Sequence, residues 1–270
     1  MGRHGLRYRK YVPRMNLRFH SPLHYTPASE TPVADSPSAP ARRAVLRAGL
    51  TSAAVLGAAA VGTSSEASAA TRPRTRPTTP AQALHELAAG NRRWRAFREV
   101  HPDETPAVRE SLTSGQHPFA VILGCVDSRV PPELVFDQGL GDLLTVRTAG
   151  EVLDEAVLGS IAYGVLELKI PLVMVLGHQS CGAVRAAVEA DASGTRLPNH
   201  IQYLADQIRP SIVRSEEGEA RIDATIDANV RAVRSRLTAE PDLAAKVSAG
   251  QLAIVGARYE LTNQRVHTIN

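Results

Sequence analysis

Four short runs of branched aliphatic residues constrain this chain more than any other feature: Phe119–Gly124, Leu143–Val146, Leu172–Leu176 and Leu252–Val255. None alternates apolar with polar, which is how parallel strands covered on both faces read. Between them lie segments with helix-like spacing, Leu153–Leu168, Gly182–Ala190 and a long stretch from about Ile201 to Leu243, broken near Pro210 and Gly218. Strands alternating with helices predict an α/β fold, a short, mostly parallel β-sheet flanked by helices. Thr79-Pro80 reads as a helix N-cap and first helical residue, so the folded domain is expected over residues 80–270. Leu84, Leu87, Ala88, Trp94 and Phe97 then fall near helical spacing, with Gly90-Asn91 as a weak point. A hydrophobic content of 43% supports a sizeable core, and aromatics at 4% make that core aliphatic.

Polar, glycine-bounded motifs follow two of the strands. Gly124-Cys125-Val126-Asp127-Ser128-Arg129-Val130-Pro131 follows the first, and Gly177-His178-Gln179-Ser180-Cys181-Gly182 follows the third. Both lie at carboxyl ends of predicted parallel strands, where open α/β sheets bind ligands. His178 and Cys181 are three apart, a spacing that lets both face one point at a strand-to-helix turn. With Cys125 they form a two-thiolate, one-imidazole set suited to zinc, and three protein ligands leave a fourth position for water, the catalytic form of a zinc site. A closed structural site needs a fourth firm ligand, and the chain has two cysteines in all. A Cys125–Cys181 disulfide is the alternative for an exported chain. Asp127 and Arg129, two apart, can pair in the bidentate geometry arginine favours, keeping the carboxylate ionised and oriented.

These motifs resemble C-x-D-S-R and G-H-x-x-C-G, the signatures of the β-class carbonic anhydrases. The resemblance extends to Arg147-Thr148-Ala149-Gly150, to Ile161-Ala162-Tyr163, to Val255–Tyr259 and to Leu87–Trp94, covering roughly residues 80–268. It implies one Zn²⁺ per chain on Cys125, His178 and Cys181, with Asp127 a fourth ligand in a closed form and paired with Arg129 in an open one. It implies reversible hydration of carbon dioxide to bicarbonate by hydroxide on that zinc. Gln116 would orient substrate, and Val130 and Tyr163 would line an apolar carbon dioxide pocket. His117, His200 and His267 are conceivable proton shuttles. Ile122 stands where some members carry a Trp beside a regulatory bicarbonate; Arg147 matches another residue of that site, but without the Trp the site is not expected. The unit implied is a homodimer or a dimer of dimers, the first helix packing on the partner. A sister hydrolase acting on carbonyl sulfide or carbon disulfide shares the signature, and an exported zinc-binding protein without catalysis is the reading from another class. Plain zinc storage needs neither Asp127 nor Arg129.

The start of the chain reads differently. Residues 1–40 are rich in Arg, Pro, Ser and His, without period, and Met15 is an alternative start. Arg42-Arg43 precedes a charge-free run of 15 residues, Ala48–Gly62, and then Ala67-Ser68-Ala69. That order resembles a twin-arginine (Tat) signal with cleavage after Ala69, which predicts export to the periplasm or medium by the Tat machinery. The apolar run is short of the roughly 18–20 residues that span a bilayer, so no stable membrane anchor is expected. A leader over 1–69 and a Pro-rich linker over 70–79 then precede the domain. Nine of the 31 basic residues and three of the 27 acidic ones fall in 1–69, leaving 22 basic against 24 acidic beyond it. The basic character belongs to the leader, which argues against a nucleic-acid partner for the folded part.

Overall fold

The apolar runs do not alternate because both faces of the sheet are covered. The computed structural model describes residues 75–269; the leader, the twin-arginine pattern and the start of the linker lie outside the described residues. In chain order the elements are α1 (Pro80–Arg95), α2 (Pro106–Ser111), β1 (Ala120–Gly124), α3 (Pro132–Val135), β2 (Leu143–Arg147), α4 (Glu155–Leu166), β3 (Leu172–His178), α5 (Gly182–Ser193), α6 (Asn199–Ile208), α7 (Gly218–Ala239), α8 (Pro241–Ser248), β4 (Ala253–Tyr259) and β5 (Val266–Ile269). Val121 and Leu123 of β1, with Val173 and Val175 of β3, face one way, against Val157, Ile161 and Val165 of α4 and Val230, Val233 and Leu237 of α7. Ala120 and Ile122, with Leu172, Met174 and Leu176, face the other way, against Ala83 and Leu87 of α1 and Val135 and Phe136 at the end of α3. Each such Val, Leu or Ile removed from water contributes about 1.5–3 kcal/mol, which makes the doubly covered strands the stable centre of the molecule.

The strand order is β2-β1-β3-β4-β5, every pairing parallel except β4 with β5. The β5 strand is absent from the sequence reading. It is four residues long and interrupts its apolar pattern with His267 and Thr268, so periodicity alone does not mark it. The chain crosses from β1 to β2 on one side and returns to β3 on the other. The carboxyl ends of β1 and β3 therefore flank the point where the strand order reverses, and Gly124 lies in register with Leu176.

The weak point expected at Gly90-Asn91 is instead a docking point. The first helix begins at Pro80, capped by Thr79 Oγ1 on Gln82 N–H, and runs unbroken to Arg95. A Cβ at Gly90 would lie 1.6 Å from the Phe136 carbonyl oxygen, so only glycine lets α1 approach the end of α3 this closely. Asn91 is buried; its Nδ2 donates to Val135 O (3.1 Å) and Gln264 O (2.9 Å), and its Oδ1 accepts from Val266 N–H (2.9 Å). One side chain thus ties α1 to α3 and to β5, and tertiary contact outweighs the low helix propensity. The described part of the linker also touches the domain: Arg76 Nη1 donates to His117 O and Gly141 O, each at 2.6 Å. Among the described residues, no helix is long and apolar enough to cross a membrane.

Candidate metal centre

Cys125 is the first residue after β1, His178 the last of β3 and Cys181 the N-cap of α5. The turn that brings Cys181 back over the strand end passes through Ser180 at φ +56°. All three residues are buried, and their donor atoms lie within 4.8 Å of one another. The two sulfurs are 3.9 Å apart and both cysteines are free, which rules out the disulfide, whose S–S bond is about 2.05 Å. Two thiolates at about 2.3 Å on a tetrahedral zinc would stand about 3.8 Å apart, so the observed separation already suits that ion. His178 Nδ1–H donates to Gln179 O at 2.9 Å, which fixes the tautomer and leaves the Nε2 lone pair inward. That Nε2 is buried without a hydrogen-bond partner. An orphaned polar atom of this kind costs about 1–3 kcal/mol, and a cation between the sulfurs would satisfy it.

The protein's own charges prepare the same outcome. Hydrogen bonding to Cys181 holds the Cys125 thiol down at about 4, opposed by burial and assisted by the Gly150 N–H. Cys181 is pushed strongly the other way, first by Cys125 and then by its own burial. Without a cation the pair therefore keeps one proton between two sulfurs; a bound cation would take both as thiolates.

Asp127 and Arg129 form the bidentate pair their spacing predicts. Asp127 Oδ1 accepts from Arg129 N–H and Nε, both at 2.9 Å, and Oδ2 accepts from Nη2 at 2.7 Å. These bonds hold the carboxyl at about 2. Oδ2 also lies 3.9 Å from His178 Nε2, so the carboxylate borders the cluster. From β2, Arg147 donates Nε to Cys125 O (2.8 Å) and Nη2 to Asp127 O (2.6 Å), bracing the loop that carries both residues.

The remaining expected residues sit elsewhere. Val130 is buried in the core with Phe119 and Met174, beneath the loop. Tyr163 is half-exposed on an open groove of about 670 Å³ between α4 and β2, which Arg147 also lines. Gln116 and His117 are exposed before β1, His200 lies at the start of α6 and His267 on β5; among the described residues no recorded hydrogen bond joins any of them to the cluster. Ile122 is fully buried in the core. Two residues absent from the sequence reading stand beside the cysteines. Glu151 is fully buried with Oε1 unpartnered, and burial, then the Cys125 charge, push its carboxyl well above the usual range. Asn229 of α7 is buried and reaches Gly150 O. The available signal for Asn229 is a polar residue that, with Thr225, interrupts the buried apolar stripe Ile222, Ile226, Val230, Val233.

Comparison with known proteins bears on the whole arrangement. A family model described as carbonic anhydrase matches residues 120–266. Carbonic anhydrase 2 of Mycobacterium tuberculosis is 43% identical over 190 residues, 70% of this chain and 92% of that protein. A carbonic anhydrase of Mycolicibacterium smegmatis is also 43% identical, over 70% of this chain and 93% of its own length. Among solved structures, the β-carbonic anhydrase CcaA superposes with TM-score 0.57 at 24% identity, over 69% of this chain and 95% of that one. A tetrameric β-carbonic anhydrase of Sordaria macrospora gives 0.56 at 20% identity, over 69% and 96%.

Proposed function

Since the chain belongs to the carbonic anhydrase family and has the fold of its β class, we propose that its centre performs reversible hydration of carbon dioxide to bicarbonate, with one zinc on Cys125, His178 and Cys181 and with Asp127 and Arg129 as the pair that orients the reaction. When bound, zinc supplies a Lewis acid that brings the pKa of a water from about 15.7 toward about 7, giving a nucleophile at neutral pH. Two thiolates offset the ion's formal charge, so the polar groups around it matter more than they would beside three imidazoles. Asp127 stays ionised at any working pH, and its Oδ2 accepts an O–H presented beside His178 Nε2. Arg129 holds both carboxylate oxygens, the paired arrangement expected of the open form. Arg147 fixes the carbonyls of Cys125 and Asp127 and keeps the acceptor and the first sulfur in one frame. The observation that carries this reading is the convergence of three metal donors with an ion-paired carboxylate at the reversal point of the sheet, since zinc storage needs no such carboxylate. Stopped-flow hydration by zinc-quantified protein, beside Asp127→Ala, tests it. Fast zinc-dependent hydration, strongly reduced in the variant, is expected. One zinc per chain without hydration at any pH would defeat the reading and direct the assay to carbonyl sulfide and carbon disulfide.

We propose further that the working unit is a homodimer or a dimer of dimers. The unpaired edge of β2 and the adjoining groove beside Tyr163 offer a surface suited to a second copy, and Val126, Leu134 and Leu140 are further exposed apolar side chains. Substrate-binding roles for Gln116, Val130 and Tyr163 belong to this same reading. Light scattering that finds only monomer at micromolar concentration would remove this reading. Arg42-Arg43, the apolar run and Ala67-Ser68-Ala69 support export by the Tat machinery, with cleavage after Ala69, to the periplasm or medium. Arg42→Lys with Arg43→Lys should abolish the processed, exported form; unchanged export would refute the Tat route.

A further inference from the structure

Gly150, Glu151 and Asn229 have no part in the mechanism above, yet the first two stand by its first sulfur and the third holds the first. The turn Ala149–Glu151 places Gly150 at φ +69° and Glu151 at φ +54°, two successive left-handed residues. Only glycine adopts such a backbone freely, and a Cβ at position 150 would also lie 2.7 Å from Ile208 Cδ1. The turn is held from both sides. Gly150 N–H donates to Cys125 Sγ at 3.4 Å, and Gly150 O accepts from Asn229 Nδ2 at 2.9 Å. Asn229 comes from the middle of α7, between Ile226 and Val230, and is 3% exposed. A polar side chain in such a stripe is costly unless its hydrogen bonds are made, and here they are made to this turn. The Glu151 carboxyl is buried next to it and is also hydrogen-bonded by Asn229.

We infer that Asn229 is a positioning residue of the metal centre: by holding Gly150 O it fixes the turn whose Gly150 N–H caps the Cys125 sulfur. The assignment rests on the zinc reading above. A hydrogen bond to a metal thiolate withdraws charge from the sulfur, so the sulfur neutralises the ion less. With two thiolates in the set, this is a lever on the acidity of the centre that belongs to the chain itself. The partner acts through the backbone, from a helix that carries none of the ligands.

The test uses the whole chain loaded with cadmium-113 in place of zinc and labelled with nitrogen-15. A scalar coupling between the metal and the Gly150 amide proton is expected in the wild type. Asn229→Leu keeps the side-chain volume, and Asn229→Asp keeps the shape without the amide donor; either should lose the coupling. Both should also bind zinc about 10–100-fold more weakly in chelator competition and shift the thiolate charge-transfer band of the cobalt form. Cadmium held by two thiolates without coupling at Gly150 would overturn the inference and leave the zinc reading standing. A folded variant with lower Tm but unchanged zinc affinity and cobalt band would also overturn it, by reducing Asn229 to packing. Cadmium without thiolate ligation would remove both readings together. If the leucine variant fails to fold, the aspartate variant carries the same readouts.

Discussion

Asn91→Ala probes the tie between the first helix, the segment after the metal loop, and the last strand. The substitution removes three hydrogen bonds from a side chain that is 5% exposed: two donated, to Val135 O and Gln264 O, and one accepted from Val266 N–H. At about 1 kcal/mol net for each, with an added cost where a partner is left dry, the loss is about 3–5 kcal/mol. Alanine is the better helix former, by up to about 0.7 kcal/mol, and recovers a fraction of this. The bonds win, and a net loss of about 3 kcal/mol corresponds to a Tm lower by about 6–12 °C for a domain of this size. Thermal unfolding of the zinc-loaded protein reads the global effect, and hydrogen exchange at Val266 N–H reads the local one. Asn91→Asp, which keeps the acceptor for Val266, should leave that amide protected while still losing both donated bonds. A Tm for Asn91→Ala within about 2 °C of wild type, or an equally protected Val266 amide, would show that α1 is held by Leu87 and Gly90 packing alone.

Glu151 and the cysteine pair give two further predictions. A carboxyl whose folded pKa lies above its unfolded value keeps a proton that the unfolded chain releases, so its contribution to stability falls as pH rises past about 4.3, by about 1.4 kcal/mol per pH unit while the folded group stays protonated. Glu151→Gln removes this dependence, so its advantage in urea unfolding should grow from acidic toward neutral pH; a constant difference would show that Glu151 ionises freely in the fold. Metal removal should expose unequal thiols: in the chelator-treated protein Cys125 should alkylate faster than Cys181 at mildly acidic pH, since one is held low and the other pushed up, and zinc should protect both. Equal rates, read by peptide mass mapping, would contradict the shared-proton arrangement.

The centre was legible because its residues are local in sequence and chemically out of place. Cys125, Asp127 and Arg129 interrupt the chain just after one apolar strand, and His178 and Cys181 just after another, so position and residue type pointed the same way. The parallel sheet was legible for a related reason: strands buried on two faces carry no polar residues to obscure them. What escaped depends on partners far away in the chain. Gly90-Asn91 reads as weak helix unless Phe136, Val135 and Val266 are known to be its neighbours. The strand β5 is too short and too polar to register, and it exists because β4 and Asn91 pair with it. Asn229 carries no motif; its meaning is the carbonyl it reaches, 79 residues back.

The clasp made by Arg76 has a mechanical consequence. Its guanidinium grips the carbonyls of His117 and Gly141 four residues before the first helix begins. Both bonds are charge-assisted, but Arg76 is 32% exposed, so solvent screening holds each to about 1 kcal/mol. Tension along the preceding chain therefore reaches this clasp before it reaches the first turn of α1, and is diverted into the loop ahead of β1 and the turn before β2. The domain carries its own strain relief, so a pull on its leading end is spent at the surface, away from the strand ends that hold the metal donors.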